Sequence, residues 1–494
     1  MRGRFNVPGS QFKVRCSVLG SGFKVRGLAA VAAVGVGLGA GLLAQGPAQP
    51  DWKALEQETL GHFQSLVRIE TMDPPGREEL AADYVVQALK KEGIPTQTFT
   101  LETGRTNVVA RLKGGGRRRP LLLMGHLDTV NVDPAKWTFP PFSAARDSGY
   151  IYGRGTIDDK DNVTASLMTM LLLKRLNVPL DRDVIFLAEA GEEGATRVGI
   201  QFMVDQHFAE IDAEYCIAEG GGVTRIDGRA KYASVQTLEK IPRQIQLKAT
   251  GVAGHGSVPL KTNAVLNLAA AVTTVGLWQP PVKLNETTGA YFKRLADISS
   301  PEEAKRYLAA LSLDPKVTAD VANWFYENEP RHASMLRSSL SPNIFTAGYR
   351  VNVIPSEATA TIDVRLLPDE DPDKFLETVR GLVNNPAIEV SYAARSRPRT
   401  PETRLDSHAL ASIEAAVKRH YGTVTLPTMS TGATDMAYLR QKGMQCYGVG
   451  PATDLEDGPK GFGSHSDQER ILEAELYRFV QFFWDAATDI ARAR

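Results

Sequence analysis

Hydrophobic and polar positions along this chain alternate between two periods. Residues 52–67 carry apolar side chains at helical spacing, and so do residues 78–92, a block that stops at Gly93 with Pro95 beyond it. Short apolar runs at 107–112, 120–124, 183–188 and 214–218 predict strands, and a long helical pattern over 162–176 lies between the middle two. Strands alternating with helices predict an α/β fold whose central sheet is covered by helices on both faces. In such sheets the loops that leave the strand ends carry the chemistry.

The pattern changes near Ile241. Residues 244–250, 359–364 and 387–393 read as strands and 263–277 and 373–383 as helices, which makes a compact α+β insert. A polar, helix-prone stretch at about 285–339 reads as an elaboration of that insert. After the proline-bearing segment 397–401 the α/β pattern returns, with helices near 407–421 and 472–490. The expected organisation is an α/β domain in two parts, 51–239 and 398–494, interrupted by an α+β lid at 240–397.

A length of 494 residues, with 43% hydrophobic and 23% charged, allows about three domains and excludes disordered, collagenous and small disulfide-stapled classes. Net charge is zero, but the first 50 residues hold six basic side chains and no acid. That basic stretch leads into Leu28–Ala44, 17 residues without a charge, followed by small residues. Residues 1–48 therefore read as a secretory signal or, with the same pattern left uncleaved, as an N-terminal membrane anchor. Either places the bulk of the chain outside the cytoplasm, periplasmic or secreted. Arg117-Arg118-Arg119 beside a glycine turn reads as a solvated loop, so no nucleic-acid partner is expected. Outside the signal only Cys216 and Cys446 remain, and each reads as a buried strand residue rather than half of a bridge.

Five segments place acids and histidines at strand or turn ends. They are Gly125-His126-Leu127-Asp128, Gly153 to Lys160 (GRGTIDDK), Gly191-Glu192-Glu193-Gly194, Ala218-Glu219-Gly220-Gly221 and Ser464-His465-Ser466-Asp467. Singly each reads as an ordinary turn. Together they put more buried acid near one sheet edge than a fold tolerates without pairing or a cation. Two imidazoles with three carboxylates suit zinc, and a carboxylate shared by two ions makes a dinuclear centre. No GxSxG segment offers a serine nucleophile.

In this order and spacing the five segments resemble the dinuclear zinc aminoacylase and carboxypeptidase family, which includes glutamate carboxypeptidase, acetylornithine deacetylase and succinyl-diaminopimelate desuccinylase. The resemblance covers nearly everything from residue 52 onward. It implies two Zn²⁺ per chain, with Co²⁺ or Mn²⁺ as alternatives. By motif, His126 and Glu219 would bind the first ion, Glu193 and His465 the second, and Asp158 both. Asp159, in the same turn, is the alternative bridge. Asp128 would orient His126, and Glu192 would be the general base of an amide hydrolysis. The segment from Gly251 to Pro259 resembles the family's lid histidine segment, implying that His255 contacts substrate and oxyanion, often across a dimer. Asn352 and Arg365 resemble the lid's contacts to a substrate carboxylate, and the turn holding Gly432 and Thr434 a substrate-binding turn.

The stretch at 285–339 and the glycines after Glu219 look most like the carboxypeptidase S branch, which includes secreted N-acyl-amino-acid hydrolases. The leading reading is an exported hydrolase of a peptide or N-acyl bond beside a free carboxylate, its substrate a small peptide or an N-acyl amino acid. An aminoacylase is the near alternative. A catalytically inactive binding homologue is the alternative of another class.

Overall fold

Strands Leu121–His126 and Val184–Glu189 are buried along their whole length. Their successive side chains divide between two cores. Leu121, Leu123, Val184 and Phe186 face a layer that includes helices Lys160–Arg175, His408–Tyr421 and Glu473–Ala491. Leu122, Met124, Ile185 and Leu187 face another, with helices Ile200–Gln206 and Met436–Gln441. Burial on both faces is why these strands read as unbroken apolar runs rather than as alternation. The computed structural model describes residues 49–393 and 397–493. The segment 1–48, where the signal or anchor is expected, lies outside the described residues. Among those described, no helix is long and apolar enough to cross a membrane.

The main sheet has ten strands. In spatial order nine of them are Thr96–Glu102, Arg105–Leu112, Val184–Glu189, Leu121–His126, Tyr215–Ala218, Gln445–Gly448, Arg229–Glu239, Gly222–Ile226 and Ala452–Asp454. The tenth, Thr425–Ser430, runs parallel to Arg229–Glu239. The four strands from Val184–Glu189 to Gln445–Gly448 are mutually parallel. His126, Glu189 and Ala218 therefore end at one edge of the sheet, and the loops that follow begin there. Cys216 and Cys446 are in-register partners in adjacent strands, both buried and both free thiols.

The insert builds its own antiparallel sheet, ordered Ser339–Ala347, Glu357–Leu366, Ile241–Thr250, Ile388–Tyr392. Helices Ala264–Leu277 and Pro372–Val383 cover one face through Leu268, Val275, Phe375 and Val379. The first of these strands has no counterpart in the hydrophobic pattern. It is an exposed edge, and Pro342 sits at a register shift, a position where a missing N–H costs nothing. The stretch at 285–339 is helical, as expected, but its packing differs from the expectation. Helices Glu286–Ala296 and Pro315–Asn328 bury Phe292, Leu295 and Phe325 with Leu238, Leu426 and Met429 of the main sheet, outside the core of the insert. The insert's sheet already has its apolar face covered by two helices, whereas strand Thr425–Ser430 needs an apolar neighbour. The segment thus belongs to the lid in sequence and to the main domain in packing.

One polar network is buried beside the main core. Arg105 donates from Nε to Glu78 Oε2 and from Nη2 to Glu78 Oε1 and Asp73 Oδ2, each at 2.7 Å. Removing the cation leaves two carboxylates unpaired in a low-dielectric setting. Arg105→Ala is therefore expected to destabilise the fold by about 3–5 kcal/mol, read by urea denaturation. A loss below about 1 kcal/mol would mean that water reaches these acids.

Candidate metal centre

His126 is the last residue of its strand and is almost fully buried. Its Nδ1 lies 3.1 Å from the Asp128 carbonyl oxygen and 3.5 Å from Asp128 Oδ1, so the Nδ1–H donates there and Nε2 is turned to the site. Nε2 meets Asp158 Oδ1 at 3.0 Å. The buried Asp128 carboxylate also holds the following loop, because Oδ1 and Oδ2 accept the backbone N–H groups of Glu192 and Glu193 at 3.2 and 2.9 Å. One side chain therefore sets both the imidazole and the loop that carries the acidic pair.

Asp158 lies between two groups of donors. His126, Asp158 and Glu219 offer atoms all within 4.8 Å of one another, and so do Asp158, Glu193 and His465. His465 Nε2 is 3.1 Å from Asp158 Oδ2 and 2.9 Å from Glu193 Oε1. Asp159, joined to Asp158 by a cis peptide, is used differently. Its Oδ2 accepts the His126 backbone N–H at 3.1 Å and its Oδ1 accepts Asn162 Nδ2 at 2.6 Å. Of the two aspartates in the turn, only Asp158 reaches both donor groups.

The turn and the loop of His465 are fastened together by Glu469. Its Oε2 accepts Arg154 Nη1 at 2.6 Å and its Oε1 accepts the Ile157 N–H at 2.9 Å, with both charged side chains buried. Neither Arg154 nor Glu469 stands out by residue type in the sequence. Their pairing emerges only when segments 315 positions apart are folded together.

Electrostatics in the centre are those of an acid-rich site. Burial pushes the Glu219 carboxyl well up, and the neighbouring Glu192 adds to it. Burial also raises Asp158, but hydrogen bonds from His126 and His465 outweigh it and hold that carboxyl well below the usual range. Hydrogen bonds to Asp158 and Glu193 push His465 up to about 10. Among the described residues none donates a hydrogen bond to the Glu219 carboxylate. A site with imidazole and carboxylate donors, one carboxylate common to both groups and another without a donor, fits two divalent cations. A third acidic cluster, Asp73, Glu78 and Asp128, does not: Arg105 already occupies it.

Glu192 belongs to neither donor group. Burial raises its carboxyl, and the Arg397 guanidinium acts in the opposite direction. Arg397 Nη2 lies 3.0 Å from Glu192 Oε1 and 3.3 Å from the Glu192 carbonyl oxygen. Sequence reasoning missed Arg397, which sits in a loop without a motif. Glu192 and Glu193 open onto a cavity of about 450 Å³, walled on the lid side by Asp363 and Arg365. Arg365 Nε donates to Asp363 Oδ2 at 2.9 Å, and among the described residues no group accepts from its terminal nitrogens.

The other lid residues are placed differently. His255 pairs with Val353 in a two-stranded ribbon, and Gly256 N–H donates to the Asn352 carbonyl at 2.9 Å, so His255 and Asn352 are neighbours. His255 is exposed, with Nδ1 2.7 Å from Ser257 Oγ. Among the described residues no hydrogen bond or ion pair joins this ribbon to the acidic centre. Gly432 is exposed in its turn, its N–H donating to Ser430 Oγ at 3.1 Å. Thr434, in the same turn, is buried. Its hydroxyl donates to Glu239 Oε2 at 2.7 Å, because Glu239 needs donors once inside the core.

A mixed sheet whose strand-end loops gather two donor groups around one shared carboxylate builds a candidate two-cation centre. The chain belongs to peptidase family M20/M25/M40, whose model matches residues 122–489. It is 29% identical over 326 residues to a probable carboxypeptidase S-like 2 from Dictyostelium discoideum, covering 64% of this chain and 62% of that protein. It is 28% identical over 332 residues to the human N-fatty-acyl-amino acid synthase/hydrolase PM20D1, covering 65% and 64%. The matches thus span less than two thirds of the length of these two relatives. In fold it is similar to an M20 family metallo-carboxypeptidase from Sulfolobus solfataricus, with a TM-score of 0.66, 21% identity, and coverage of 87% of this chain and 98% of that one.

Proposed function

We propose that this chain is a two-zinc amidohydrolase that cleaves a peptide or N-acyl bond next to a free carboxylate. The observation that carries this reading is Asp158 common to two donor groups, with the Glu192 carboxylate, a member of neither, next to Glu193. Divalent cations bound there supply Lewis acidity towards water and an amide carbonyl. Glu192 takes the proton from the attacking water on its carboxylate and returns it to the departing amine nitrogen. Arg365, which lines the cavity, holds the substrate carboxylate as a planar fork. Asn352 and the Gly432 turn add polar contacts to the substrate.

His255 supplies a donor to the developing oxyanion, and it comes from a second copy of the chain. The exposed His255 ribbon and the exposed apolar side chains Ile344 and Phe345 of the lid's edge strand and Leu266 and Leu277 of the insert helix support that arrangement. A mixture of inactive Glu192→Ala and His255→Ala chains should then regain activity, up to about a quarter of native, through mixed dimers with one intact site. No recovery after subunit exchange would place the oxyanion donor in the same chain. The proposal extends to an exported protein, on the strength of the basic and apolar pattern of residues 1–48.

Similarity to PM20D1 favours a second reading, in which the amide is that of an N-acyl amino acid. Both readings meet one experiment. The chain from Asp51 onward, loaded with zinc, is incubated with dipeptides, acetyl-amino acids and long-chain acyl-amino acids, and products are read by mass spectrometry. Release from one class, abolished by a chelator and restored by zinc, is the expected result and identifies the bond. Two zinc ions bound with no release from any class would overturn the hydrolase reading in favour of a binding protein.

A further inference from the structure

Arg397 is the residue by which the lid's return segment reaches into the centre. It lies just beyond the insert's last strand, Ile388–Tyr392, and its backbone carbonyl accepts Arg243 Nη1 from strand Ile241–Thr250 at 2.8 Å. Its side chain is largely buried in the cavity wall. One terminal nitrogen, Nη2, holds Glu192 at two points, Oε1 and the backbone carbonyl oxygen. The other, Nη1, is 3.1 Å from Asp435 Oδ1. Asp435 is almost fully buried, and among the described residues no hydrogen bond serves its carboxylate, which meets the guanidinium as an ion pair only. Asp435 therefore holds the guanidinium, and the guanidinium holds Glu192.

We infer that Arg397 is a positioning residue for the reaction: it fixes the rotation of the Glu192 carboxylate through Oε1 and so leaves Oε2 as the oxygen that accepts the proton. The inference rests on the reading of Glu192 as the base. Arg397 is not a second clamp for the substrate carboxylate, because its guanidinium already lies between the Glu192 and Asp435 carboxylates, whereas among the described residues no group accepts from the terminal nitrogens of Arg365. A planar fork is needed here, since a single ammonium cannot span Glu192 and Asp435 at once.

The test compares Arg397→Ala and Arg397→Lys in the native and in the Glu192→Gln background of the zinc-loaded chain, with the substrate it turns over fastest among the three classes named under the proposed function. In the native background kcat should fall by about 10²-fold, with KM within about threefold, the cost of a misplaced reacting group. Lys should restore little of it, and guanidinium at a non-denaturing concentration should rescue the Ala variant. In the Glu192→Gln background the same substitutions should cost nothing further. A crystal structure of zinc-loaded Arg397→Ala should show the Glu192 carboxylate rotated, with both cations in place.

Several outcomes overturn the inference alone: an unchanged kcat, a rise in KM at constant kcat, an equal loss in the Glu192→Gln background, or an unmoved carboxylate. Full activity of Glu192→Gln by itself would instead remove the base, and this inference with it. Should Arg397→Ala fail to fold, Arg397→Lys keeps the buried charge and gives the same comparison.

Discussion

Glu192→Gln should lower kcat by about 10²–10⁴-fold while two cations remain bound per chain. The amide keeps the size and the loop position of the carboxylate, since the loop is set by Asp128 and its bonds to the backbone of Glu192 and Glu193. What it loses is the ability to accept a proton. Neither donor group includes Glu192, so metal content measured by elemental analysis should not change. Near-native turnover would show that another group is the base, and loss of a cation would make Glu192 a ligand.

Asp158→Asn should act on both properties together. Asp158 is the one residue common to the two donor groups, and it also meets both imidazoles. Replacing it removes a negative charge from each group and leaves one weak carbonyl donor. Bound cation should drop to one per chain or none. Cation catalysis is worth several kcal/mol, so turnover should fall by about 10³-fold or more. Asp159→Asn is the control. Asp159 is taken up by the His126 N–H and Asn162, so its loss should disturb the turn without halving the metal content. The reverse pattern, two cations in Asp158→Asn and fewer in Asp159→Asn, would move the bridge by one residue.

Four strands of the ten-stranded central sheet were legible, the inner ones because they are buried on both faces. Runs such as Leu121–Met124 and Val184–Ala188 have no other reading once flanked by helical periods. Of the insert's two outer strands, Ile388–Tyr392 was legible and Ser339–Ala347 was not. Ser339–Ala347 is exposed and interrupted by Pro342, and nothing in it alternates. The donor residues were legible through their short motifs, and the fold brings His126, Asp158, Glu193, Glu219 and His465 together. The residues that hold them were not. Arg154, Glu469, Arg397 and Asp435 act through partners distant in sequence, and an arginine or an acid alone carries no sign of its partner. The helices of 285–339 failed for the same reason: their amphipathic period says that one side is buried, not against which sheet.

The two donor groups also differ in where along the chain they come from. His126, Asp158 and Glu219 lie within the first half of the sequence, whereas His465 joins Glu193 across a separation of 272 residues. The donors of the first group all precede His465 in the chain, yet the turn of Asp158 is fastened by Glu469, which follows it. Both donor groups therefore depend on the last thirty residues or so of the chain having folded onto the sheet, His465 as a donor and Glu469 as a fastener.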